Sequence, residues 1–191
     1  MNLKELMILT LRNYDEEPDE TAIQEYRERM TAAINEAYLD ICQEKLQPTK
    51  EITVVVGDDG KIAKTALPAA FVRPTAILTS QGGRLAFRQT IEGLTVYCHK
   101  GAAKMIYIYT PTLLSGDNDV PVIDSQWHWC LSDFATWRLM CSGSRARQLR
   151  GEAYLNQYLR AIGHIIPGWR QRPKLGNKYQ GGSGYATGAL D

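Results

Sequence analysis

The chain has 191 residues, of which 44% are hydrophobic and 23% are charged, so its composition is that of an ordinary globular protein with one domain and appendages. No stretch approaches the roughly 20 apolar residues of a membrane span, and the apolar run near the N-terminus is too short for a signal peptide. We therefore expect a protein that is made in the cytoplasm, stays soluble and has no membrane partner.

The net charge of +1 conceals an asymmetry along the chain. Residues 1–50 hold 6 basic and 11 acidic side chains, whereas residues 143–191 hold 8 basic and 2 acidic ones. This polarity favours a molecule whose two ends meet different partners, or whose copies meet through oppositely charged flanks. Chance segregation of charge on a solvated surface is the alternative.

Two helices are predicted in the acidic first quarter of the chain. Residues 2–12 form a short amphipathic helix, and residues 19–46 carry the clearest helical periodicity of the whole sequence. Pro18 precedes the longer helix, which Pro48 ends after ~42 Å. Its inward stripe consists of Ile23, Tyr26, Met30, Ala33, Ile34, Ala37, Tyr38 and Ile41.

Short alternating strands joined by tight turns are predicted over residues 51–110. We expect one hairpin to turn at Gly57-Asp58-Asp59-Gly60 and the last one to turn at Lys100-Gly101, between strands at 95–99 and 105–109. No helix separates the strands, so a parallel sheet is disfavoured. The pattern predicts an antiparallel sheet or small sandwich that is inserted between helices.

Two further helices are predicted, over residues 124–141 and 145–164. The first packs through Trp127, Cys130, Leu131, Phe134, Leu139 and Cys141, and the second through Leu149, Ala153, Tyr154, Tyr158, Leu159 and Ile162. The fold class is therefore α+β: a helical bundle of N- and C-terminal helices with an inserted antiparallel β lobe, together spanning residues 1–166. Residues 167–191 are too rich in Gly and polar side chains to bury a core, so we expect an extended C-terminal arm that orders on a partner.

Cysteine and histidine occur close together twice, as Cys98-His99 and as His128-Trp129-Cys130. Neither spacing places the two side chains on one face of a strand or helix, so no local catalytic dyad is expected. We expect all four cysteines, Cys42 and Cys141 included, to be small buried residues in a reducing compartment. His128 is expected to be a core or interface histidine that bonds a loop carbonyl.

The acidic loop Asp117-Asn118-Asp119 carries side chains that suit calcium, but it lacks the spacing of a calcium-binding loop. We expect Asp117 and Asp119 to lie in a solvated turn or to contact a neighbouring subunit. No metal and no cofactor are expected, and the chain is not expected to be an enzyme.

The stretch around this loop resembles the strand–loop–helix signature of the head–tail adaptor (connector) proteins of tailed bacteriophages. A Tyr-x-Tyr strand, a proline, an acidic loop, a Pro-x-Ile step and an aromatic–His pair follow one another in that family's order. The matching residues are Tyr107, Tyr109, Pro111, Asp117, Asp119, Pro121, Ile123, Trp127 and His128. An upstream segment with Leu67, Pro68, Phe71, Arg73 and Pro74 also matches, and the similarity covers about residues 3–165.

The resemblance implies a structural protein of the virion neck, present as a ring of twelve copies beneath the portal protein. Such a ring extends the DNA channel and joins the portal to a stopper or tail protein, and DNA passes through its lumen without being read. The family's C-terminal arms clasp the portal, and the corresponding residues here are Trp169, Arg170, Arg172, Lys174, Lys178 and Tyr179. The inserted β region and the Gly-rich tail are longer than in a minimal adaptor.

A closed ring repeats one heterologous contact, so each subunit needs two complementary flanks. We expect acidic side chains of the second helix to face basic side chains of the last helix of the next subunit. The predicted interface residues are Glu25, Glu28, Glu36, Asp40, Arg145, Arg147 and Arg150. Two other classes stay open: a nucleic-acid-binding protein that uses the basic tail, and a small Cys/His enzyme whose site is assembled from distant residues.

Overall fold

The computed structural model describes residues 1–165 and confirms the predicted α+β class. Helices from the two ends of the chain form one helical unit: α1 (Leu3–Tyr14), α2 (Glu20–Asp40), α3 (His128–Met140) and α4 (Arg145–His164). The β strands lie between α2 and α3 in sequence and have a separate core. No helix within residues 1–165 is long and apolar enough to cross a membrane. The predicted arm, 167–191, lies outside the described residues.

Polar side chains define the starts of the first two helices. Asn2 and Glu5 form a reciprocal capping box, in which each side chain accepts a hydrogen bond from the other's backbone N–H at 2.9 Å. Asp19 caps α2 by accepting from the Ala22 N–H at 2.7 Å. The predicted inward stripe of α2 is buried, apart from a partly exposed Tyr26. A π-helical segment, Ile41–Leu46, follows α2 and ends the helical stretch.

The central element of the helical unit is α3, which packs against the three other helices. Its side chains are buried on almost every face, including the polar Ser132 and Thr136. Ser132 is hydrogen-bonded to the Thr10 hydroxyl of α1 at 3.0 Å, and Thr136 donates to the Ser132 carbonyl at 2.8 Å. These bonds compensate the loss of water around the buried hydroxyls.

The packed face of α4 agrees with the predicted one in part. Tyr158 is buried and Tyr154 and Ile162 pack against the core, as predicted, whereas Leu149, Ala153 and Leu159 are exposed. Gly151 lies very close to α3, because a Cβ atom at this position would be 2.9 Å from the Cβ of Met140. This close approach determines which face of α4 is buried. Cys141, expected in the packed face of the preceding helix, is also exposed.

Seven strands build the β lobe as two antiparallel sheets: β1 (Thr49–Val56), β2 (Lys61–Ala63), β3 (Phe71–Leu78), β4 (Arg84–Leu85), β5 (Phe87–Thr90), β6 (Gly93–Val96) and β7 (Gly101–Tyr109). One sheet has the order β1-β7-β3-β4 and the other β2-β6-β5. Their facing side chains, among them Val54, Ile77, Leu94 and Met105, form the core of the lobe. The lobe is therefore a small sandwich, one of the two arrangements that the alternation predicted.

Two of the predicted hairpins are wrong in their partners. The turn at Gly57–Gly60 exists, but β1 pairs with β7 whereas β2 pairs with β6. Likewise, β6 and β7 follow each other in sequence and lie in different sheets. A tight turn can pass a chain from one layer of a sandwich to the other as readily as it can close a hairpin, and hydrophobic alternation alone does not distinguish the two cases.

Candidate functional site

The segment that resembles the adaptor signature forms a joint between the β lobe and the helical unit. We define the joint loop as residues 110–124. Its Asp119 and Asp117 carbonyls accept hydrogen bonds from the backbone N–H groups of Leu3 and Lys4, at 2.9 and 3.1 Å. These donors lie in the first turn of α1, where backbone N–H groups have no partner within the helix. The loop therefore closes the exposed end of the N-terminal helix.

Asn35 of α2 binds the same loop from the other side. Its side chain accepts from the Leu114 N–H at 2.8 Å and donates to the Leu114 carbonyl at 2.9 Å. The Tyr38 hydroxyl accepts from the Val122 N–H at 3.1 Å. Asn35 and Leu114 are buried, so the paired amide groups satisfy each other where water is excluded.

Both aspartates of the predicted loop contact bind groups of their own chain. The carboxylate of Asp119 accepts from the backbone N–H groups of Ser115 and Gly116, both at 2.8 Å, and these bonds lower the pKa of Asp119. Asp117 forms an ion pair with Arg27 of α2. Their predicted contact with a neighbouring subunit stays a prediction.

His128 bonds a loop carbonyl, as predicted. The side chain is 2% exposed, and its Nε2 lies 2.9 Å from the Ile123 carbonyl oxygen. Its Nδ1 lies 2.7 Å from the amino group of Met1. An ammonium group only donates, so this pair of contacts favours the tautomer with the proton on Nε2.

The cysteines divide into two groups, which corrects the expectation that all four are buried. Cys42 and Cys130 are buried, and burial raises the pKa of each thiol to about 12. Cys130 donates to the Trp127 carbonyl at 2.8 Å and so makes no bond with His128. Cys98 is exposed, beside His99 and close to the turn at Gly57–Gly60. Within residues 1–165, no cluster of three His, Cys, Asp or Glu side chains is arranged to hold a metal ion.

Of the predicted acidic flank on α2, two residues are paired within the chain and two point to solvent. The Glu36 carboxylate lies 3.2 Å from the Arg138 guanidinium of α3, and Asp40 accepts from the Tyr158 hydroxyl at 2.7 Å. Glu25 and Glu28 are exposed, and neither has an ionic partner in the part of the chain that the structure describes.

The predicted basic flank on α4 divides in the same way. Arg150 binds both carboxylate oxygens of Asp15, the residue that ends α1, and this pairing lowers the pKa of Asp15. Arg147 donates to the Tyr14 hydroxyl at 2.9 Å, and its guanidinium carbon lies 4.9 Å from the Tyr14 ring centroid. Only Arg145 of the three has neither an ion-pair nor a side-chain hydrogen-bond partner within residues 1–165. No local signal identified Asp15 or Tyr14, because α4 reaches them from more than 130 positions away.

Large apolar side chains are exposed on the helical unit and on its joint loop. Leu149 and Leu159 of α4 are 56% and 50% exposed, and Val120, Val122 and Trp129 are exposed at the joint loop and the start of α3. Exposed apolar residues that are scattered singly are common on folded proteins, and the β lobe exposes Val55, Val72, Ile91 and Tyr97 in the same way.

One buried carboxylate has an oxygen atom without a hydrogen-bond partner in the part of the chain that the structure describes. Asp133 of α3 is 5% exposed, and its Oδ2 makes no hydrogen bond within residues 1–165. Loss of hydration raises the pKa of Asp133 to about 6. The signal in the sequence that points to this residue is a single acidic side chain inside the apolar run of α3.

No protein-family model matches this chain, and no curated protein matches its sequence.

Proposed function

We propose that this chain is a head–tail adaptor of a tailed bacteriophage: a structural protein that forms a ring beneath the portal, extends the DNA channel and joins the portal to a stopper or tail protein. The observation that carries the proposal is the joint. The adaptor-like stretch follows the last strand of the β lobe and binds the start of the helical unit. The carbonyls of Asp117 and Asp119 accept from α1, the Asp117 carboxylate pairs with Arg27 of α2, and His128 lies beside the Met1 amino group. A shared stretch whose residues hold the fold together suits a structural protein.

The contacts within the chain reduce the number of charged residues that are available for the ring interface. Arg147, Arg150, Glu36 and Asp40 hold the helical unit together, so the ionic contact between subunits falls to Glu25 and Glu28 on α2 and to Arg145 on α4. Exposed pairs of this kind determine register more than affinity. The exposed Leu149, one turn beyond Arg145, supplies apolar area for the same contact.

A charge exchange tests this interface. Rings would be counted by negative-stain imaging and light scattering, with and without a purified portal ring. We expect Arg145→Glu to weaken each subunit contact by roughly two- to fivefold, the range of one exposed charge pair, and a closed ring repeats that loss at every contact. Glu28→Lys should do the same alone, and the double variant should restore rings because the pair is re-formed with reversed signs.

Arg88→Glu is the matched control, because Arg88 is an exposed arginine on β5 with no ion-pair partner within residues 1–165. Rings that form equally well in the Arg145 and Arg88 variants would place the subunit contact elsewhere. A wild-type chain that forms no rings, either alone or on a portal, would overturn the adaptor proposal itself.

A further inference from the structure

Strand β1 forms one edge of the four-stranded sheet. It pairs with β7 over all eight of its residues without a bulge, and no strand lies on its other side within residues 1–165. A long edge without a bulge or an internal proline is a template for another strand. The second half of β1, Ile52–Val56, is rich in the β-branched residues that favour strands.

The register identifies the groups that face outward. Tyr109 donates its N–H to the Pro48 carbonyl at 3.1 Å, so the pair Pro48/Tyr109 is a hydrogen-bonded one. Such pairs alternate along an antiparallel ladder. The residues bonded to β7 are therefore Lys50, Ile52, Val54 and Val56, and those with outward N–H and C=O groups are Thr49, Glu51, Thr53 and Val55. None of these outward groups has a hydrogen-bond partner among residues 1–165.

The two charges on β1 are already compensated. The Lys50 ammonium lies 4.3 Å from the centroid of the Tyr109 ring, and the Glu51 carboxylate lies 2.8 Å from the Lys104 ammonium. An unpaired charge on an edge strand repels a second strand, and this protection is weakened here. Val55 is 72% exposed on the solvent face of the same strand.

We propose that β1 pairs with β1 of a second copy of this chain, antiparallel about a two-fold axis at Ile52. This register places Thr49 opposite Val55 of the partner subunit and Glu51 opposite Thr53 of the partner subunit. About eight main-chain hydrogen bonds form, because all four outward residues of each copy are used. If the two-fold axis lay at Glu51 instead of Ile52, Glu51 would lie opposite Glu51 of the partner subunit. If the axis lay at Thr53, one hydrogen-bonded pair would be lost.

This contact goes beyond the proposed function and does not rest on it. A two-fold contact uses the same surface on both copies and closes at two, whereas a ring needs two different surfaces. The edge pairing therefore describes the free protein, in which a second copy covers a strand edge that would otherwise attract other chains. It involves β1 alone, while the ring contact involves α2 and α4.

A pair of opposite substitutions at one outward position tests the proposal. In the two-fold register, Thr53→Glu faces Glu51 of the partner subunit twice per dimer, whereas Thr53→Lys forms two favourable pairs. Within one subunit Thr53 lies opposite Lys104, so the two substitutions have the reverse effect on the stability of the subunit. Loss of the dimer in a Glu variant that unfolds at the same urea concentration as the wild type therefore reports the contact between copies and not the fold.

The average mass would be measured by sedimentation over about a hundredfold range of concentration, because an interface of two short strands is small and weak. We expect the wild-type mass to rise from 21.5 kDa toward twice that value, the Glu variant to stay at one chain and the Lys variant to pair at least as well as the wild type. A constant wild-type mass, or equal pairing by both variants, would overturn the proposal.

A cross-link gives an answer even if the chain also forms larger rings. Ile52→Cys, in a background with Cys98→Ser and Cys141→Ser, should form a disulfide-linked dimer under mild oxidation, because Ile52 faces its own copy in a close, non-bonded pair. Glu51→Cys in the same background is the control, since it faces Thr53. Equal cross-linking at both positions, or none at Ile52, would contradict the register.

Discussion

At the scale of single residues, Asp133 is the most unusual side chain of the helical unit. It lies on the central helix, its Oδ2 has no partner within residues 1–165, and its pKa is raised to about 6 from 3.8. Between about pH 4 and pH 6 the folded chain retains a proton that the unfolded chain has released. This residue therefore lowers the stability of the protein as the pH rises through that range.

Asp133→Asn should remove this dependence on pH. At pH 7.5 we expect the variant to be more stable than the wild type by roughly 1–3 kcal/mol, because a shift of one pKa unit corresponds to about 1.4 kcal/mol and the buried amide offsets part of the gain. At pH 4.5 most of the difference should disappear.

Urea unfolding at the two pH values measures both quantities, and Glu152→Gln on the exposed side of α4 is the control for a loss of negative charge. If Asp133→Asn gains the same stability at both pH values, burial does not destabilise the charged form of this carboxylate.

At the scale of elements, the contact between α3 and α4 determines how the last helix is oriented. Gly151 allows α4 to approach Met140, and the rings of Phe134 and Tyr158 pack with their centroids 4.9 Å apart. The helical periodicity of α4 is weak, since leucines occur on both sides of the helix. The glycine, and not the pattern of leucines, selects the buried face.

Gly151→Ala and Gly163→Ala form a matched pair on this helix. An added methyl at Gly151 would meet Met140 at 2.9 Å, so we expect a net loss of about 1–2 kcal/mol after the higher helix propensity of alanine is included. A methyl at Gly163 meets no atom of residues 1–165 within 4 Å, so the variant should gain about 0.5–1 kcal/mol. Both values are read from urea unfolding curves, and a stabilised Gly151 variant would show that the helices are less closely packed.

At the scale of the whole molecule, two lobes with separate cores are joined through residues 110–124. The helical unit carries the charged and apolar surfaces that the adaptor proposal uses, and the basic residues of the predicted arm follow its last helix in sequence. The adaptor proposal therefore assigns self-association and attachment to a portal to different parts of the chain, and one truncation would separate them.

Deletion of residues 167–191 should leave a folded chain that no longer attaches to a portal ring. We expect an unchanged midpoint of unfolding, because the deleted residues have the composition of an arm that cannot bury a core, and at least a tenfold weaker association with portal. Co-sedimentation with portal rings measures the association. Full attachment of the truncated chain would assign portal binding to another surface.

The sequence by itself determined the type and order of most elements, because helical and strand periodicity, capping residues and turn residues act over a few positions. It also indicated the bond between His128 and a loop carbonyl, whose partner Ile123 is only five residues away. Tertiary structure alone decided which strands pair, which face of α4 is buried and which charges remain available. Arg150 and Asp15, like β1 and β7, meet across long stretches of chain, and the close packing of the whole fold selects such partners among many that are locally equivalent.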